Sequence, residues 1–142
     1  MPIIFDNVNN PAQPIAGVYR WYFKVGARKL TLYVGKASGP RKSLFKRAST
    51  LFRGISEASQ NHTSAINTNV LVGQAIAYVV KTYGECHWEH ISNNPDEEEM
   101  LVGKHRPILQ SGLNIFSRDI SLLQKKIEAS VEDTQIGEVA EP

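Results

Sequence analysis

The sequence predicts a small α/β protein in which helices flank a short, largely antiparallel three-stranded sheet. Three observations point that way. Two neighbouring stretches, IAGVYRWYFK at 15–24 and LTLYVG at 30–35, are rich in β-branched and aromatic residues and are joined by the turn-like VGARK, which reads as a hairpin. A further stretch, ECHWEHI, reads as a short third strand, with Cys86, Trp88 and His90 alternating against His87 and Glu89. Around these lie segments with helical periodicity or helical start and stop signals.

Taken in order, residues 1–14 combine prolines with several asparagines and read as an irregular lead-in. After the hairpin, Gly39-Pro40 breaks the chain before a helix over 43–52. At about 100° per residue, Leu44, Phe45, Ala48, Leu51 and Phe52 form one apolar stripe with Lys46 and Arg53 opposite and Arg47 at its edge. Residues 54–69 are polar and aperiodic, so they read as a loop. VLVGQAIAYVVKTY at 70–83 is apolar almost all round, which requires a helix packed on more than one side, and Gly84 ends it. SNNPDEEEMLVGKHRP then carries the marks of a helix start, with Asn before Pro and acidic residues in the first turn, and Pro107 stops it. One more amphipathic helix is expected over about 118–129, and the acidic end, 130–142, reads as disordered.

At 142 residues the chain fits one domain able to bury a modest core without staples. The single cysteine, Cys86, cannot form an internal disulfide. With no window apolar enough for a signal sequence or a membrane span, the expectation is an intracellular protein with no membrane partner. The net charge of +2 hides an asymmetry, because residues 1–127 carry 16 Lys/Arg against 9 Asp/Glu while 128–142 carry five acidic residues and no basic one. Between Arg20 and Arg53 there are ten basic side chains and no acidic one. Such a run suits a polyanion such as nucleic acid, and a solvated face balanced elsewhere in the fold would explain it equally well.

Three adjacent glutamates, Glu97, Glu98 and Glu99, open the helix before Pro107. With Met100, Leu101 and Val102 as the apolar side, Glu99 points away while Glu97 and Glu98 both lie within about 60° of its centre. A carboxylate at a packed face is costly unless it is paired or binds a cation, and hard divalent cations prefer oxygen ligands. Helix geometry leaves the choice between Glu97 and Glu98 open. Cys86, His87 and His90 invite a zinc reading, but strand alternation separates His87 from the other two and no second pair of ligands is evident. Trp21 and Trp88 read as core residues, with base stacking as the other use for Trp21.

Gly17-Val18-Tyr19 followed by Tyr33-Val34-Gly35-Lys36-Ala37 resembles the paired motif of the GIY-YIG nuclease family. LFKR at 44–47 resembles the start of that family's first helix, and EEMLVGKHRP at 98–107 is similar to the metal-binding stretch of its UvrC type. The likeness spans about residues 15–115, so a nuclease-like domain is expected over 15–117. It implies metal-dependent endonuclease activity on double-stranded or structured DNA, with one Mg2+ or Mn2+ held by Glu98; the preference for Glu98 over Glu97 comes from this resemblance. Tyr19 would orient or deprotonate the attacking water, Tyr33 and Lys36 would assist, and Arg47 would stabilise charge on the phosphate. Gly35 would permit close approach of the substrate, and Lys46 and Asn114 would contact it. The segment between Gly35 and Arg47 is longer than in the UvrC type, so Arg41 and Lys42 compete for the arginine's role. A binding module without turnover, a homodimer, or a nuclease subunit aimed by a targeting partner are the alternatives the same residues allow.

Overall fold

The computed structural model describes residues 3–6, 17–37, 68–109 and 120–135. Within them, strand β1 (Ile3–Phe5) is followed by β2 (Gly17–Val25), β3 (Arg28–Ala37), helix α1 (Thr68–Tyr83), β4 (Cys86–Ser92), a 3-10 turn (Pro95–Glu97), helix α2 (Glu98–His105) and helix α3 (Ile120–Gln135). The α/β class is as expected. The sheet differs: it has four strands in the order β1-β4-β2-β3, with β2 antiparallel to both neighbours and β1 parallel to β4. The helix expected over 43–52 and the loop that follows it lie outside the described residues up to Thr68.

Strands β2 and β3 form the hairpin, and its turn is shorter than VGARK suggests. Val25 pairs with Arg28, leaving Gly26 and Ala27 as a two-residue loop. Gly26 has φ +63° while Ala27 stays at negative φ, a pattern that only the first loop position of a type II′ turn requires. A bulge shifts the register between Trp21 and Tyr22, so that Tyr33 faces Trp21 and Thr31 faces Tyr22. Leu32 is the extra residue, and both it and Tyr33 join the main core cluster. Residues 17–23 of β2 are buried on both faces, which is why this strand reads as a nearly continuous apolar run.

The N-terminal strand corrects the irregular lead-in. Ile3, Ile4 and Phe5 pair with Cys86, His87 and Trp88, and the Asp6 amide donates to the Trp88 carbonyl at 2.9 Å. An apolar run of three residues beside prolines and asparagines is too short to show a period of two, and its parallel partner lies some eighty residues away.

The core lies between the sheet and helices α1 and α3. Leu71, Val72, Ala75, Ile76 and Val79 of α1 and Leu123, Ile127 and Val131 of α3 pack with Trp21, Phe23, Leu30, Leu32, Cys86 and Trp88. Both tryptophans are buried, so Trp21 is a core residue and is not placed to stack on a base. Gly84, at φ +100°, closes α1 by donating to the Val80 carbonyl at 3.0 Å. The α3 stripe runs past residue 129 to buried Thr134, which corrects the start of the acidic tail. Ser130 and Thr134 can be buried there because their hydroxyls donate to the Lys126 and Ser130 carbonyls at 2.8 and 2.7 Å. Residues 136–142 lie outside the described set.

Helix α2 covers the other face of the sheet, where Leu101 packs against Val18 and Val34. The sequence signs fall on the 3-10 turn that leads into it: the Asn94 side chain accepts from the Asp96 amide at 3.0 Å and Pro95 takes the first position of that turn, while α2 itself starts at Glu98 without a side-chain cap. At its exit Arg106 turns in the left-handed region, and the amides of Ile108 and Leu109 donate to the Thr31 and Leu32 carbonyls along the outer edge of β3. Met100 was expected on the packed side but is 58 % exposed; the packed stripe is Glu98, Leu101, Val102 and His105. Among the described residues no helix is long and apolar enough to cross a membrane.

Candidate functional site

Alternation along β2 and β3 places the residues of the paired motif. Tyr19 pairs with Gly35, and Trp21 with Tyr33, so these four share the α1 and α3 face of the sheet. The Tyr19 ring stacks on Trp88, with centroids 5.6 Å apart and planes at 26°, and stands 6.4 Å from the Tyr33 ring. Tyr19 is 2 % exposed and Tyr33 is half-buried, so Tyr33 is the more accessible phenol.

Gly35 is required by this pairing. A Cβ there would stand 2.5 Å from the Tyr19 hydroxyl oxygen, 2.6 Å from its Cζ and 2.9 Å from Tyr33 Cε2. The Tyr19 phenol therefore lies across the backbone of β3 at the one residue with no side chain. Gly17 answers a second constraint at the same end of the sheet. It has φ +150°, and a Cβ would strike the Ser92 carbonyl and stand 2.8 Å from His90 Nε2, where His90 makes a 2.7 Å hydrogen bond to that carbonyl.

The remaining residues of the expected site are distributed differently. Lys36 is exposed and pairs with Val18, on the α2 face. Glu98 is half-buried in the first turn of α2, the helix that packs on that same face, with Glu97 half-buried and Glu99 exposed beside it. The structure thus brings Tyr19, Tyr33 and Gly35 together and sets Lys36 and the helix of Glu98 across the sheet from them. Arg41, Lys42, Lys46, Arg47 and Asn114 lie outside the described residues. Among the described residues no group of three or more His, Cys, Asp and Glu side chains is arranged to hold a metal ion. The chemistry of Glu98, a single half-buried carboxylate, fits a hard divalent cation whose other ligands are water and phosphate oxygen.

The Cys86 thiol points into the core and donates to the Tyr22 carbonyl, and burial pushes its pKa far up.

The α2 face also carries a polar network that the motif reading missed. Arg20 is 3 % exposed in the middle of β2. Its Nε donates to Glu89 at 2.8 Å, and its Nη1 reaches the Thr31 hydroxyl at 3.2 Å and His105 Nδ1 at 2.9 Å. A guanidinium can only donate, so His105 Nδ1 accepts. Lys29 adds a second cation 3.9 Å from Glu89. Beside this cluster, the Tyr22 hydroxyl donates to Asp6, and Asp6 also lies 2.7 Å from His87 Nδ1, with Glu85 at 3.2 Å from His87 Nε2. The Tyr22 ring stacks on His87 at 4.9 Å and lies under the Arg20 and Lys29 cations at 4.7 and 5.1 Å. Burial, and then the bond to Asp6, push the Tyr22 phenol far above the ordinary tyrosine value, so it remains a donor. VYRWYF holds only part of the signal: Arg20 must be paired once its strand is buried on both faces, and the structure supplies that burial.

These features define a three-layer α/β protein with a tyrosine pair on one face of a mixed sheet and a charged network on the other. A scan against protein-family models and searches of curated proteins and of solved structures find no match to the chain.

Proposed function

We propose that the protein is a divalent-metal-dependent endonuclease that hydrolyses DNA phosphodiester bonds. The observation that carries the reading is the Tyr19–Tyr33 pair seated over Gly35, because it gives both tyrosines and the second glycine of the GIY-YIG-like motif a joint structural reason. In this reading Tyr33 holds a water or a phosphate oxygen at the sheet surface and Tyr19, behind it, orients the hydroxyl. Lys36 and Arg47 neutralise the phosphate, and the basic residues Arg41, Lys42 and Lys46 draw in the DNA backbone. Glu98 would hold Mg2+ or Mn2+, which polarises the phosphate and stabilises the leaving oxygen when bound.

A second reading is favoured by one observation. The helix that carries Glu98 packs on the face opposite the tyrosines, an arrangement that suits a DNA-binding module without turnover. Supercoiled plasmid incubated with the protein in Mg2+, Mn2+ or chelator separates the two. Metal-dependent nicking that is lost in Glu98→Ala and kept in Glu97→Ala supports the nuclease. Salt-sensitive plasmid binding without cleavage in either metal sinks it and leaves the binding module. Cleavage that appears only with added cell extract would assign the chain to a nuclease needing a targeting partner.

A further inference from the structure

The two histidines on the α2 face make opposite demands on a proton. His87 sits between two carboxylates: Asp6, which follows β1, and Glu85, which precedes β4, at 2.7 and 3.2 Å from its two ring nitrogens. A neutral imidazole carries one N–H and leaves its other nitrogen bare against a carboxylate oxygen, whereas an imidazolium donates to both. His105, at the end of α2, accepts from Arg20, so its Nδ1 must be bare. An added proton there would set an N–H and a positive charge against a guanidinium that cannot give up its own.

We propose that this face of the sheet is a proton-sensitive clamp, in which acidification tightens the edge strand β1 and loosens helix α2. The groups around each histidine set the two signs. His87 faces Asp6 from β1, Tyr22 from β2 and Glu85 before β4, so negative charge dominates and Tyr22 contributes a fixed donor to Asp6. His105 faces Arg20 from β2, with Thr31 and Lys29 from β3 and Glu89 from β4 completing that cluster, and Lys104 and Arg106 flank it in the chain. Glu89 is already committed to Arg20 at 2.8 Å, so its charge is compensated before it reaches His105. Asp6 is also the residue whose amide continues the β1–β4 ladder, so its grip on His87 and its backbone bond act on the same strand. The clamp rests on its own geometry. Under the nuclease reading it would in addition set the seating of the helix that bears Glu98.

Amide hydrogen exchange, corrected for intrinsic rates and compared at about pH 5.5 and about pH 7.5, tests the clamp on the whole chain. On acidification, protection of the β1 and Asp6 amides should rise and protection across α2 should fall, each by roughly three- to tenfold. His105→Gln keeps an acceptor for Arg20 but has no proton to gain, so it should abolish the α2 response and leave the β1 response intact. Asp6→Asn should weaken the β1 response and leave that of α2. A shift of both elements in the same direction overturns the proposal, as does an α2 response that survives in His105→Gln. Nitrogen NMR of the imidazole rings gives a check that does not depend on folding of any variant: a proton on His105 Nδ1 at neutral pH also overturns it.

Discussion

On one side of β2, Tyr19, Trp21 and Phe23 join Trp88, Leu71 and Ile127 in an apolar cluster; on the other, Arg20 and Tyr22 meet Glu89, His87, Asp6 and His105. The two faces belong to the same strand and differ by one residue of offset. The apolar face gains stability in proportion to the area it removes from water, and it tolerates exchange of one large apolar residue for another of equal volume. The charged face gains little net energy from its contacts, because burying Arg20 and Glu89 costs about what their attraction returns. It does fix register: a one-residue slip of β2 would carry Arg20 into the tryptophan cluster.

The largest effect is expected from breaking the apolar face. Trp21→Ala should remove about 3–5 kcal/mol, enough to unfold much of the population, measured by urea denaturation. Arg20→Leu should cost about 3 kcal/mol by leaving Glu89 with Lys29, 3.9 Å away, as its remaining cation, at the low end for a buried pair because the Glu89 side chain is also 18 % exposed. The double variant Arg20→Leu, Glu89→Leu should recover most of that loss; a double variant no better than the single one would mean that the pair stabilises the fold outright.

Gly35→Ala should cost about 1–3 kcal/mol by forcing Tyr19 off β3, and a change in tryptophan fluorescence would report the displacement from Trp88. The smallest effect is expected at Tyr22, where Tyr22→Phe removes one hydrogen bond, worth about 1–2 kcal/mol. Its pH dependence has a definite sign. The folded state raises the Tyr22 pKa, so the stability it contributes is complete below the unfolded tyrosine value of about 10 and is lost as the pH rises beyond it. Stability curves of the parent and Tyr22→Phe should therefore converge above about pH 10, and a constant gap across that range would contradict the shift.

The hairpin, helices α1 and α2 and strand β4 were legible in the sequence because each rests on local patterns: β-branched runs, a helix apolar all round, Asn94-Pro95 at a helix start. Strand β1 was not, since three residues cannot display a period and its partner is remote in the chain. The extension of α3 to Gln135 was hidden because Ser130 and Thr134 read as polar surface, whereas their hydroxyls satisfy themselves within the helix. For the site, the residue types of the tyrosine motif were readable and their faces followed from alternation. The role of Arg20 was not, because a run of basic residues reads as one surface until the strand is known to be buried on both sides.

The strand order β1-β4-β2-β3 also dictates a sequence of events as the chain is made. The hairpin of β2 and β3 can close as soon as it emerges, while the inner edge of β2 waits for β4, some sixty residues later. Until then an apolar strand presents unpaired amides and carbonyls, the template on which foreign strands add. β1 cannot shield it, since among the described residues β1 pairs with β4 alone. Fragments ending at Tyr83 are accordingly expected to sediment as aggregates where fragments ending beyond Leu109 remain dispersed, and the time spent between those two lengths is when this protein has most need of a chaperone.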